Sequence, residues 1–193
     1  MDGSHPDTES HGPPPITLPM RSLLVLSGPA GAGKSTFARK LVQAHEQQGF
    51  KHTTIVSSDD CRVLVCDDEN NQQVNRDSFD LFHYIINKRM FWDRFTIADS
   101  TALYPAARHK LLDLARRHSY YTCLLTFNVP TEISLRRDQR RERSVGERVV
   151  AYHGELLLKT LQDVPNEGWD QMHILDERAI DAVAIEIAIS KIE

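Results

Sequence analysis

Residues Gly28-Pro-Ala-Gly31-Ala32-Gly33-Lys34-Ser35 match the pattern G-x-x-x-x-G-K-[ST] in full. Glycines let a backbone turn tightly and aim its N–H groups at phosphate oxygens. A helix starting at the end of such a loop adds the positive end of its dipole. In this pattern the lysine reaches the β- and γ-phosphates, and the hydroxyl of the last residue ligates the Mg²⁺ that bridges them. Gly28, Gly31, Ala32, Gly33, Lys34, Ser35 and Thr36 are therefore the candidate nucleotide-binding residues. Ser35 is the candidate metal ligand, and ATP and Mg²⁺ are the expected cofactors. The bland alternative is a glycine turn with an incidental lysine. The loop lies between an apolar run and a helical pattern, the context a phosphate loop requires. Alone, it does not separate kinases from other ATPases, GTPases or regulatory nucleotide-binding modules.

Two carboxylate positions and a run of arginines could complete a transfer site. In Ser57-Ser58-Asp59-Asp60-Cys61-Arg62, a carboxylate at a strand end can face the γ-phosphate and take the proton of an acceptor hydroxyl as transfer proceeds. Arg62 would lie one helical turn on, where it could hold an acceptor phosphate. Equally, Asp59 or Asp60 could cap a helix with Arg62 as a surface partner. Phe95-Thr-Ile-Ala-Asp99 reads as an apolar strand ending in a carboxylate, able to steer Mg²⁺ through water or to bind the acceptor end; a turn cap with Ser100 and Thr101 is its alternative. Arg136, Arg137, Arg140, Arg141, Arg143 and Arg148 crowd one segment. Arg136 and Arg140 fall on one helix face, as a lid over the triphosphate would need. Interleaved Asp138, Glu142 and Glu147 fit a solvated face instead.

Strands must deliver these groups to one edge. Leu23-Leu24-Val25-Leu26 is a continuous apolar run, as in a parallel strand buried on both faces. Further strands are predicted at 52–57, 95–98, 121–129 and 171–175. Helices are predicted at 35–48, 78–94, 105–118, 131–143, 146–163 and 178–192, and a partly helical loop at 61–77. Alternating strands and helices imply a five-stranded parallel sheet wrapped on both sides, whose carboxyl edge gathers the Gly28–Ser35 loop, Asp59 and Asp99. Trp92 and Phe91 are expected to pack on the 78–94 helix. His83, His109, His118 and His153 lack metal-ligand spacing and are read as surface or structural.

The chain has 193 residues, enough for one core. Residues 1–20 are expected to be a disordered tail and 21–193 a single domain, with order beginning near Arg21. The net charge of −4 argues against coating long stretches of nucleic acid. It leaves room for a site that grips one strand end with a few cations. Three cysteines without a C-x-x-C pair fit free thiols in a reducing compartment. With no apolar run long enough for a bilayer, a cytoplasmic protein is expected and no membrane partner.

The segment Ser57 to Asn70, Phe79 to Tyr84, Asp99-Ser-Thr101 with Pro105, and the arginine stretch together resemble the kinase domain of bacterial polynucleotide kinase-phosphatases. The resemblance covers about Leu23 to Leu175. It implies an adenylate-kinase-like P-loop phosphotransferase fold with an arginine-bearing lid, acting on the 5′-hydroxyl end of DNA or RNA. It assigns the general base to Asp59, an acceptor phosphate to Arg62, and nucleotide phosphates to Arg136 and Arg140. Asp99 matches a further aspartate such kinases need. Ala102 departs from the family, which often has Asn there. Nothing in the chain resembles a metallophosphatase, which leaves a phosphatase or repair domain to act in trans or within a longer parent chain. The alternatives are a P-loop kinase of a small hydroxylated metabolite, or a nucleotide-gated binding module without catalysis.

Overall fold

Leu23, Leu24, Val25 and Leu26 are all fully buried, because their strand has packed helices on both sides. A computed structural model describes residues 14–140 and 144–188. In chain order its elements are β1 (Ile16–Pro19), β2 (Ser22–Ser27), α1 (Lys34–Ala44), β3 (Ile55–Ser57), α2 (Ser58–Cys66), α3 (Asn75–Phe91) and β4 (Thr96–Asp99). There follow α4 (Pro105–Arg117), β5 (Tyr121–Phe127), α5 (Thr131–Gln139), α6 (Glu147–Asp163), β6 (Gln171–Leu175), α7 (Glu177–Ala182) and β7 (Ile185–Ala188). The main sheet is parallel, in the order β3-β4-β2-β5-β6.

Each face of β2 feeds its own core. Leu24 and Leu26 pack with Phe37, Ala38 and Leu41 of α1. Leu23 and Val25 pack with Phe82, Ile86 and Met90 of α3 and Leu111 and Ala115 of α4. Because β2 is flanked by β4 on one side and β5 on the other, the crevice beyond its carboxyl end is the expected ligand position. The register places Asp99 opposite Leu26 of β2 and opposite Ser57 of β3.

Both chain ends differ from the sequence expectation. Order begins before Arg21: Ile16–Pro19 forms a strand that pairs in parallel with Ile185–Ala188. The predicted helix 178–192 is instead the short α7 followed by β7. Ile185-Glu-Ile-Ala alternates with period two, and so does Ile16-Thr-Leu-Pro; Ile16, Leu18, Ile185 and Ile187 are buried while Thr17 and Glu186 are exposed. Neither segment could bury its apolar side without the other, so local periodicity misread them. The tail at 1–13 and residues 189–193 lie outside the described residues.

Other differences are local. Residues 52–54 form a 3₁₀ turn, shortening the predicted strand to Ile55–Ser57. The segment expected as a loop at 61–77 is largely helical: Ser58–Cys66 is α2, and α3 already begins at Asn75. The helix predicted over 131–143 ends at Gln139 with Arg140 as its C-cap, and Arg141 and Arg143 lie outside the described residues. Trp92 and Phe91, expected to pack, are 69% and 64% exposed, since they fall beyond the turn that Met90 buries. No helix among the described residues is long and apolar enough to cross a membrane.

Candidate active site

The Gly28–Ser35 loop is held in shape before any ligand arrives. Gly28 (φ 148) sits where a Cβ would lie 2.9 Å from Phe127 Cβ, and its N–H donates to Thr101 O at 2.9 Å. Gly31 (φ 81) touches α5: a Cβ there would stand 2.1 Å from Ser134 O. Gly33 (φ 97) is the N-cap of α1, and Ala32 is fully buried behind the turn. Lys34 is buried, its Nζ donating to Gly28 O at 2.8 Å and Pro29 O at 2.7 Å. Thr36 is exposed in the first turn of α1.

Gly31→Ala is predicted to be severe for two separate reasons. The methyl group meets a backbone carbonyl that cannot swing away, and the left-handed φ is disfavoured for alanine. We expect a loss of about 2–4 kcal/mol in chemical denaturation, together with loss of ATP-induced stabilisation. Parent-like stability in the variant would contradict this packing.

Asp99 is the buried floor of the site, 6% exposed at the end of β4. Burial pushes its carboxyl above the usual range, while the Lys34 charge and a hydrogen bond with Ser35 pull it back; Asp59 and Asp60 raise it further. Ser35, Lys34 and Asp99 therefore converge at the mouth of the loop. A hydroxyl beside a carboxylate offers the hard oxygen donors that suit Mg²⁺, which usually keeps several waters and takes its remaining ligands from substrate phosphates. No group of three or more histidine, cysteine or carboxylate residues forms a closed metal cage among the described residues.

Above this floor stands the start of α2. Ser57 is its N-cap, its hydroxyl accepting from Asp59 N at 3.2 Å and Asp60 N at 3.3 Å, so neither aspartate is needed as the cap. The Asp59 side chain is 70% exposed, and its Oδ1 accepts from Arg62 Nη1 at 2.8 Å. Arg62 itself is buried. Its Nη1 also donates to Glu69 O at 2.9 Å, and Nη2 donates to Asn75 Oδ1 at 2.9 Å. The guanidinium thus ties Asp59 to the start of α3, and only its Nε is buried without a hydrogen-bond partner. Asp60 is raised by burial first and by Asp59 and Glu69 next.

Arg136 and Arg140 are not brought to the loop by hydrogen bonds. Both are exposed, each two positions on from buried Ser134 and Asp138, which put them on the opposite side of α5. Arg137 pairs with Glu177 of α7. Fully buried Asp138 accepts from Ser144 Oγ at 2.6 Å and Gly146 N at 3.2 Å, securing the chain where it re-enters α6.

Three residues near the loop were missed from sequence. His153 on α6 accepts at Nδ1 from Ala30 N at 3.3 Å; burial, then Lys34, lowers its pKa, so it sits neutral against the loop. Arg108, fully buried, donates to Ala102 O at 3.0 Å and Leu103 O at 2.9 Å and pairs with Glu167 at 2.6 Å. It thereby fixes the turn after Asp99, in which Ala102 holds φ 44. That left-handed backbone is one Asn adopts more readily than Ala. Asn75 is the third. The His153–Ala30, Arg62–Asn75 and Arg108–Glu167 contacts span 123, 13 and 59 residues, and nothing local announces the bonds from Arg108 back to the turn before its helix.

A family model described as AAA domain matches residues 23–170. No curated protein matches the chain. Among solved structures, the APS kinase CysC of Mycobacterium tuberculosis, in complex with AMPPNP and APS, is similar at TM-score 0.56 and 13% identity, covering 84% of this chain and 92% of that one. A gluconokinase from Sinorhizobium meliloti 1021 gives 0.53 and 16%, covering 85% and 90%. A chain of the Pnkp1/Rnl/Hen1 complex gives 0.51 and 20%, covering 67% of this chain and 40% of that one. These identities speak for the fold.

Proposed function

The chain belongs to the AAA domain family and has an α/β P-loop kinase fold, and from that premise we propose that it is a polynucleotide 5′-hydroxyl kinase transferring the γ-phosphate of ATP. The observation that carries the reading is Asp59: an exposed carboxylate, oriented by Arg62, on the helix that begins where β3 ends beside Asp99. The resemblance of 57–70 and of Asp99 to Pro105 to polynucleotide kinases supports the acceptor.

In this reading the loop N–H groups and Lys34 hold the triphosphate. Mg²⁺, when bound, neutralises charge on the β- and γ-oxygens, and Ser35 with Asp99 would hold it. Asp59 accepts the proton of the 5′-hydroxyl as that oxygen attacks in line, with ADP leaving. Arg62 keeps Asp59 in place; its Nε is buried, so Arg62 meets an acceptor phosphate only if the guanidinium moves from its present bonds. With α5 packed against Gly31, Arg136 and Arg140 reach the triphosphate only if their exposed side chains swing inward.

The gluconokinase and APS kinase neighbours favour a second reading, phosphorylation of a small hydroxylated metabolite on the same site. One assay separates them. With labelled ATP and matched DNA and RNA strands, a 5′-hydroxyl oligonucleotide is expected to be labelled and its 5′-phosphorylated twin is not. Equal labelling of both, or of neither, would overturn the polynucleotide reading.

A further inference from the structure

The far end of α3 exposes three large aromatic rings that no core requires. Tyr84 is 59%, Phe91 64% and Trp92 69% exposed. Tyr84, Lys88 and Trp92 recur every fourth residue, so they form one stripe along the helix. Lys88 Nζ lies 5.5 Å from the Tyr84 ring centroid and 5.9 Å from that of Phe91. Phe91 and Trp92 meet edge to face at 5.5 Å. Tyr84, Lys88, Arg89, Trp92 and Arg94 line a shallow cavity of about 350 Å³. Arg89 is fixed in its wall by bonds to Phe95 O at 2.8 Å and Thr96 Oγ1 at 3.2 Å. The acidic neighbour Asp93 is already paired with Arg21.

Exposed aromatic patches of this kind mark interaction sites. Flat rings interleaved with cations ask for a partner that is both π-faced and anionic. An apolar protein surface would strip water from Lys88 and Arg94 without return, and an acidic one would leave the rings uncovered. A duplex hides its base faces. We propose that this end of α3 is a stacking platform for single-stranded nucleic acid, gripping the acceptor strand away from its reacting end. The inference deepens the polynucleotide reading above and rests on it.

Geometry links the platform to the site. Asn75, bonded to Arg62, opens α3, and at 1.5 Å per residue Tyr84 lies ~13 Å and Trp92 ~25 Å farther along the axis. An acceptor of one or two nucleotides would not reach it, while a longer strand would.

Trp92 and Trp169 are the two tryptophans, so full-length W169F leaves Trp92 as the sole indole reporter. The probe is a 5′-phosphorylated oligothymidylate of roughly 12 nucleotides, a common site size, added without ATP. Saturable quenching of Trp92 is expected, with affinity reduced at least tenfold in Y84A and little response to a duplex. In the kinase assay W92A should raise KM for the long acceptor about tenfold, leaving kcat and the KM for a nucleoside 3′-monophosphate unchanged, as stacking on ring faces requires. Absent quenching, or equal response to duplex, overturns the platform. If 5′-hydroxyl strands are labelled normally in that case, the kinase reading survives. Quenching that depends on Tyr84, with no strand ever labelled, supports the platform and removes the kinase reading.

Discussion

Asp59→Asn is expected to bind ATP nearly as the parent does while transferring phosphate ~10²–10⁴-fold more slowly, the usual range for losing a general base. The two effects separate because Asp59 belongs to α2, whereas the phosphates are cradled by the loop after β2. Asparagine keeps the size of the side chain and an oxygen that can accept from Arg62 Nη1, so the tie to Asn75 and Glu69 persists. What it lacks is the ability to take a proton. Asp59 is 70% exposed but Arg62 only 7%, so the exchange keeps the hydrogen bond while taking the countercharge from a buried guanidinium. Some loss of stability is therefore expected, and transfer is compared at a temperature where both proteins stay folded. Single-turnover transfer and equilibrium ATP binding, measured on the same preparation, check this directly. Unaltered transfer would mean that some other group accepts the proton, and Asp60, on the same first turn, would be the next to replace.

The part of this site that was legible in the sequence is the part made by adjacent residues. Gly28 to Ser35 announces its loop because turn, N–H cradle and helix start are all contiguous. Asp99 was placed by a rule of strand ends, and the register with Leu26 puts it beside the loop. Arg62 was legible as a residue but not as a conformation. Its i+3 spacing from Asp59 predicted the pair, yet nothing local announced that Glu69 and Asn75 would bury the guanidinium. His153 and Arg108 depend on helices far along the chain, and no periodicity encodes which turn of α6 will meet Ala30. The β1–β7 pair failed for the same reason at the level of the fold. Two four-residue strands at opposite ends of the chain are each too short to outweigh a helical reading until their partner is known.

Asp99→Asn should move stability and activity in opposite directions. The ionised carboxylate is 6% exposed, and burial raises its pKa despite Lys34 and Ser35, so the folded protein holds the charge at a net cost. Asparagine fills the same space without that charge. Below the unfolded-state value of 3.8 the parent carboxyl is protonated in both states and carries no penalty. As pH rises through the raised folded value, the unfolded chain releases its proton first and the parent loses stability that the variant keeps. The variant's advantage in Tm should therefore be absent near pH 3, grow with pH, and level off once the folded carboxyl has ionised. Activity should fall by ~10²-fold, the upper range for losing a group that orients a metal or its water. Mg²⁺ supplies the decisive control. The positive charge that it brings would offset the parent's penalty and has none to offset in the variant, so Mg²⁺ with ATP should raise the parent's Tm by more than the variant's. Equal shifts in the two proteins, or a variant less stable than the parent at pH 8, would show that Asp99 is there to hold the turn after β4 and not to meet the metal.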